Sequence, residues 1–196
     1  MRLLKRHVNG GFEFTRDLVE EMLPQYAIVS HTWQADDEEE IRFCGEQAGR
    51  DGLEYFWVDT CCINRNSSEE LQESITSMFS WYRNAVKCYA YLADVLVAEA
   101  PDVGKSHQHA SHLWEYAFRR SRWFTRGWTL QELLAPASVE FFSRQEFPHQ
   151  ALRGDPLTNF SIAERLSWSD EGKTKRKEEG ILPFRNFQYI QAAHVW

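Results

Sequence analysis

The sequence predicts an α/β fold in which helices flank a central, mainly parallel sheet. Apolar runs rich in aromatic and β-branched residues alternate along the chain with amphipathic helical patterns. One of these runs, LEYFWVDTCCI at 53–63, is almost continuously apolar up to its acid, as is typical of a strand buried on both faces. Strands that alternate with helices are joined by right-handed crossovers, which make neighbouring strands parallel.

The elements follow one another without an internal repeat. The acids at the start of 36–52 favour a helix, because carboxylates stabilise the positive end of the helix dipole. The next helix has Ser67 or Ser68 as its N-cap and an apolar stripe at helical spacing. The segment 113–135 is predicted to be helical in at least two pieces that break near 125–127. The four strands of the sheet are predicted at 26–31, 55–60, 87–93 and 138–143.

Composition and charge argue against several classes of protein. The 196 residues are 43% hydrophobic and 14% aromatic, which suffices for a packed core. The net charge of −7 argues against nucleic acid as the main partner, because phosphate binding needs a basic surface. No apolar run approaches the roughly 18 residues of a membrane span, and the N-terminus lacks the apolar core of a signal peptide.

The four cysteines have neither the spacing of a disulfide framework nor that of a zinc site. We therefore expect reduced thiols in a cytoplasmic protein and no bound metal. Two of them, Cys61 and Cys62, could form a nucleophilic set with His31 and Asp59. The other interpretation is that they are small core residues, as strand cysteines usually are.

Polar and aromatic side chains gather where the predicted strands end. Ligands of open parallel sheets bind outside the carboxyl ends of the strands. His31 can act there as an acid or a base, or it can simply hydrogen-bond to neighbouring backbone. Together with the helix at 128–132, these ends offer six candidates: Ser30, His31, Trp33, Asp59, Asp94 and Glu132.

Glu132 lies in the stretch RGWTLQELLAP, four residues after Trp128. Residues four apart share one face of a helix, so the acid and the ring are predicted to be neighbours just before the last strand. Composition alone favours a surface glutamate on an amphipathic helix. The preceding segment RRSRWFTR could bind phosphates through its arginines, or it could be a solvated helix face.

Four segments together resemble the fungal heterokaryon incompatibility (HET) domain: YAIVSHTW, FWVDTCCIN, SSEELQESITSMFSWYRNAVKCYAYLADV and FRRSRWFTRGWTLQELLAPASVEFFS. The resemblance implies a cytoplasmic protein of fungal allorecognition and innate immunity whose activation triggers cell death. It also implies a division of the chain into an N-terminal extension at 1–24, a core at 25–145, a weakly matched part at 146–180 and a divergent tail at 181–196. HET domains usually carry a longer segment after the first core strand than the QADDEEE found here.

HET domains are related to Toll/interleukin-1 receptor (TIR) domains, so the resemblance implies a TIR-like, flavodoxin-like sheet. Enzymatic TIR domains cleave NAD⁺ between nicotinamide and ribose with a glutamate in a W-x-x-x-E-like helix, the place that Trp128 to Glu132 occupy here. The resemblance thus implies Glu132 as the catalytic residue and NAD⁺ as a substrate, with no cofactor. It implies substrate contacts for Ser30, His31, Trp33, Asp59, Arg126 and Trp128. The alternative is a non-catalytic signalling module that acts through HET–HET or HET–TIR association.

Overall fold

The computed structural model describes residues 1–7, 9–32, 37–95, 117–118 and 120–143. Six strands form one sheet: β1 (Leu4–Arg6), β2 (Phe12–Phe14), β3 (Tyr26–His31), β4 (Tyr55–Trp57), β5 (Lys87–Leu92) and β6 (Val139–Ser143). The α-helices within these ranges are α1 (Asp37–Arg50), α2 (Asp59–Cys62), α3 (Ser68–Asn84) and α4 (Thr129–Leu134). The predicted weakly matched part at 146–180 and the divergent tail at 181–196 lie outside the described residues.

The sheet has the strand order β2-β1-β4-β3-β5-β6. Strand β3 is parallel to both of its neighbours, β4 and β5, and β6 is parallel to β5. The four predicted strands are therefore confirmed as one parallel group. The expectation of a mainly parallel sheet holds only in part, because β1 pairs antiparallel with both β2 and β4 and makes the sheet mixed.

The antiparallel edge comes from a hairpin near the N-terminus. Strands β1 and β2 are joined through Gly10, whose φ of 84° lies in the left-handed region that glycine tolerates. The backbone N–H groups of His7 and Gly10 donate to Gly11 and His7 carbonyls, which closes the turn. The sequence NGG between two short apolar runs is a hairpin signal, and it accounts for the difference from the prediction.

The second predicted strand is shorter than expected. It ends at Trp57 rather than at residue 60, and the one-turn helix α2 begins at Asp59. The helices predicted at 36–52 and after Ser67 are confirmed as α1 and α3, and the side chain of Ser67 caps α3 by accepting from the Glu70 N–H. The predicted break near 125–127 separates a 3-10 helix, Arg122–Thr125, from α4.

The core surrounds β3 and β5. Every residue of β3 is buried, and in β5 all but the first are. Helix α1 packs closely under the hairpin because it carries Gly45, where a Cβ would lie 2.4 Å from the Phe12 ring. None of the described helices has the length and apolar character that crossing a bilayer requires.

Candidate functional site

The candidate site lies at the carboxyl end of β3, the strand with parallel neighbours on both sides. Ser30 and His31 are the last two residues of this strand. Asp59 follows β4 and opens α2, and Glu132 belongs to α4, which precedes β6. The proximity of Ser30, His31 and Asp59 follows from the parallel pairing, because strand ends of the same sense meet at one edge of the sheet. Glu132 reaches this edge through the packing of α4.

Glu132 is only 7% exposed and accepts a hydrogen bond at Oε2 from the Ser30 hydroxyl. Burial raises the pKa of its carboxyl group above the ordinary 4.5, and the charge of Asp59 acts in the same direction. The positive charge of Arg126 and the Ser30 hydrogen bond oppose the rise without cancelling it. The interpretation of Glu132 as a solvated surface residue is therefore wrong, because its carboxyl group is buried and held by specific partners.

His31 is 3% exposed and lies between two acids. Its Nε2 is 2.9 Å from Glu40 Oε2 and 3.5 Å from Asp59 Oδ1. Burial alone would lower the pKa of the imidazole, but the charges of Asp59 and Glu40, with a smaller effect of Glu132, outweigh it and raise the pKa. The site thus combines three carboxyl groups with a buried imidazole whose pKa is higher than that of an ordinary histidine.

Arg126 connects the approach to α4 with the end of β3. One guanidinium nitrogen, Nη1, donates to the main-chain carbonyl of His31. The guanidinium also places a positive charge near Glu132, where it lowers the pKa of that carboxyl group. The cation therefore fixes the strand end and compensates part of the negative charge of the cluster.

The remaining predicted residues are placed differently. Trp128 is half-buried and packs against the main hydrophobic core, and its carbonyl accepts from the Glu132 N–H at 3.4 Å. The predicted one-turn relation between the two residues is thus present. Trp33 lies outside the described residues. Asp94 accepts from the Ser121 hydroxyl and from the Arg122 N–H, both at 2.8 Å, so it holds the 3-10 helix.

Two residues that contact the site, Glu40 and Trp123, are not among the candidates predicted from the sequence. Glu40 stands in the acidic run DDEEE, which indicates only a helix start, yet it is 2% exposed. A signal was available, because Glu40, Cys44 and Ala48 recur every four residues and share the buried face of α1. Trp123, in RRSRWFTR, is 1% exposed and donates from Nε1 to Ser30 Oγ at 2.7 Å.

The cysteines provide no support for the nucleophilic set. None of the four forms a disulfide bond, and Cys44, Cys62 and Cys88 are buried. Burial raises the pKa of the Cys62 thiol well above its ordinary value, which disfavours the thiolate that such a mechanism needs. No group of three or more histidine, cysteine or acidic side chains within the described ranges is arranged to hold a metal ion.

Comparison with known proteins adds an independent line of evidence. Residues 39–115 match the sequence model of a family described as Heterokaryon incompatibility protein (HET). The chain is 44% identical, over 215 aligned positions, to Vegetative incompatibility protein HET-E-1 of Podospora anserina. This alignment covers 91% of the chain but only 15% of the longer relative. No solved structure matches.

Proposed function

Because this chain carries a domain of the heterokaryon incompatibility (HET) family, we propose that it acts in vegetative incompatibility as a cell-death effector that hydrolyses NAD⁺. The proposed reaction breaks the bond between C1′ of the ribose and the nicotinamide nitrogen. The bonding electrons pass to nicotinamide and neutralise its ring. Water then adds to C1′ and releases one proton, so the products are nicotinamide, ADP-ribose and H⁺.

The buried position of Glu132 is the observation that carries this proposal. Departure of nicotinamide leaves an oxocarbenium-like cation, and a fixed carboxylate stabilises the positive charge as it develops. Such an anion acts most strongly where water is excluded, and Glu132 is only 7% exposed. The Ser30 hydroxyl fixes one carboxylate oxygen, so the anion is already oriented before the substrate binds.

The surrounding charges suit a substrate that carries both a cation and phosphates. Glu132, Glu40 and Asp59 give the site a local excess of carboxylates, which suits a pyridinium ring. His31 is paired with Glu40 and Asp59, so we propose that Arg126 supplies the positive charge for the phosphates. The excess of carboxylates supports a substrate with a cationic ring, such as NAD⁺, over a purely anionic nucleotide.

A second candidate function is signalling by self-association without catalysis. One observation favours it: three large apolar side chains of the N-terminal extension at 1–24 are exposed, Phe14 by 52%, Val19 by 59% and Met22 by 74%. Exposed apolar side chains can serve as protein contacts. This function does not need the Glu132 carboxylate, so the two candidates respond differently to its removal.

The proposal is tested in cells that express the parent chain, Glu132→Gln or Glu73→Gln at equal levels. Glu73 is an exposed glutamate of α3 and serves as the matched control for the loss of one carboxylate. We expect the parent and the control to deplete NAD⁺ and kill cells, and Glu132→Gln to do neither. Killing by Glu132→Gln at the parental rate would reject hydrolysis and favour association.

A further inference from the structure

We propose that Trp123 is a positioning residue that orients the Ser30 hydroxyl toward Glu132. This inference rests on the proposed function for its catalytic meaning, since it deepens the role of the same site. Trp123 does not touch the reacting atoms and would act only through Ser30. It also gives a role to the segment RRSRWFTR, for which the sequence alone allows two interpretations, a phosphate-binding site or a solvated helix face.

The geometry forms a directed chain of two hydrogen bonds. The Trp123 indole N–H donates to Ser30 Oγ at 2.7 Å, and that hydroxyl donates to Glu132 Oε2. An indole nitrogen is a donor only, whereas a hydroxyl has a single proton and two lone pairs. Because Trp123 occupies one lone pair of Ser30, the hydroxyl proton cannot point at the indole and is left to point at the carboxylate.

The indole is itself held firmly in place. Its ring meets those of Phe124 and Phe141 edge to face, with centroids 5.0 and 5.4 Å away. The Trp123 backbone N–H donates to Ser121 Oγ at 3.2 Å, and this hydroxyl donates to Asp94 Oδ1. The donor therefore cannot turn away from Ser30 without disrupting a packed aromatic cluster and the start of the 3-10 helix.

The direction of the hydrogen bonds matters because Glu132 is proposed to carry its charge in a buried site, where water does not stabilise it. A hydroxyl that is free to rotate can accept a hydrogen bond from a protonated carboxyl group, which would favour the neutral acid. With the indole N–H in place, Ser30 acts as a donor to Glu132 and favours the ionised form. Trp123 thus helps to keep Glu132 charged although burial acts against that charge.

The first test removes the N–H and follows the ionisation of Glu132 directly. Trp123→Phe is compared with Trp57→Phe, because Trp57 is also fully buried and its Nε1 has no hydrogen-bond partner in the part of the chain that the structure describes. The readout is the ¹³C NMR titration of the Glu132 carboxyl carbon, assigned by its absence in Glu132→Gln. We expect the midpoint to move to higher pH in Trp123→Phe and to stay unchanged in Trp57→Phe.

The second test asks whether Trp123 acts through Ser30. In a double-mutant cycle on nicotinamide release, Trp123→Phe and Ser30→Ala should each lower kcat about tenfold, and the double variant should lose little more. Losses that multiply would overturn the inference, as would an unchanged Glu132 titration. If Trp123→Phe does not fold, Trp123→benzothienylalanine repeats both tests, because it keeps the bicyclic shape and replaces the N–H by sulfur.

The two readouts separate this inference from the proposed function. A midpoint that moves as expected in a protein without NAD⁺ cleavage would support the positioning role and reject the enzymatic proposal. Cleavage that persists with an unmoved midpoint would reject the positioning role alone.

Discussion

Replacing Glu132 with glutamine is expected to make the stability of the fold less sensitive to rising pH. Burial raises the pKa of this carboxyl group in the folded protein above the 4.5 of an exposed glutamate. Between these two values the folded state keeps a proton that the unfolded state has released. The stabilisation from this proton is fully present below pH 4.5 and is lost as the pH rises through the folded pKa.

The magnitude follows from proton linkage. Each pH unit between the unfolded and folded pKa values of one group changes the free energy of unfolding by about 1.4 kcal/mol. Glu132→Gln keeps the shape of the side chain and removes its ionisation, so the variant does not lose this part of the free energy of unfolding as the pH rises. The variant should therefore gain stability relative to the parent as the pH is raised from 4.5 toward neutrality.

Urea unfolding of both proteins at half-unit steps between pH 4.5 and 7.5 measures this difference. The pKa of His31 is also raised, so it too removes stability as the pH rises above 6.5, but it is present in both proteins and largely cancels. Glu73→Gln, on the exposed face of α3, should follow the parent at every pH. Curves of parent and Glu132→Gln that run parallel would refute the conclusion that Glu132 is held in a desolvated site.

Three further changes probe the surroundings of the site. Gly45→Ala places a Cβ 2.4 Å from the Phe12 ring and should lower the free energy of unfolding by about 1–3 kcal/mol in urea titrations; an unchanged stability would contradict the close packing of the hairpin. Glu40→Gln removes a charge that raises the pKa of His31, so the imidazole should titrate at lower pH by ¹⁵N NMR, and an upward move would contradict the assigned contact. Asp94→Ala removes two hydrogen bonds to the start of the 3-10 helix and should cost about 1–2 kcal/mol of stability, whereas a neutral effect would remove its role as a cap.

The parallel part of the sheet could be predicted because its strands are long and apolar. β3 and β5 are buried over almost their whole length, and their sequences carry that pattern. Strand β4 ends early because Asp59 starts a helix. The sequence does not show this helix start, because apolar residues and cysteines continue to Cys62. The antiparallel edge depends on strands of three residues, which are too short for a period to show.

The candidate site could be predicted only where position along the chain determines proximity. Ser30, His31 and Asp59 end or follow parallel strands, so topology brings them together. The helical spacing of Glu40 with Cys44 and Ala48 indicates that Glu40 is buried, but not that it meets His31. The contact of Trp123 with Ser30 depends on packing that no local pattern encodes. The burial of Glu132 likewise follows from how α4 sits against its neighbours, whereas the sequence alone favours a solvated acid.

The most direct test of the central claim is the release of nicotinamide from NAD⁺ by the purified protein at high local concentration, with Glu132→Gln and Glu73→Gln measured beside the parent. Removal of one preorganised charge typically lowers a rate by about two to three orders of magnitude. We expect the parent and Glu73→Gln to react at the same rate and to release one nicotinamide for each ADP-ribose. Glu132→Gln should fold normally and react more slowly by about that factor. Equal rates for the parent and Glu132→Gln, or no release by the parent, would contradict the assignment of Glu132 as the catalyst of NAD⁺ hydrolysis.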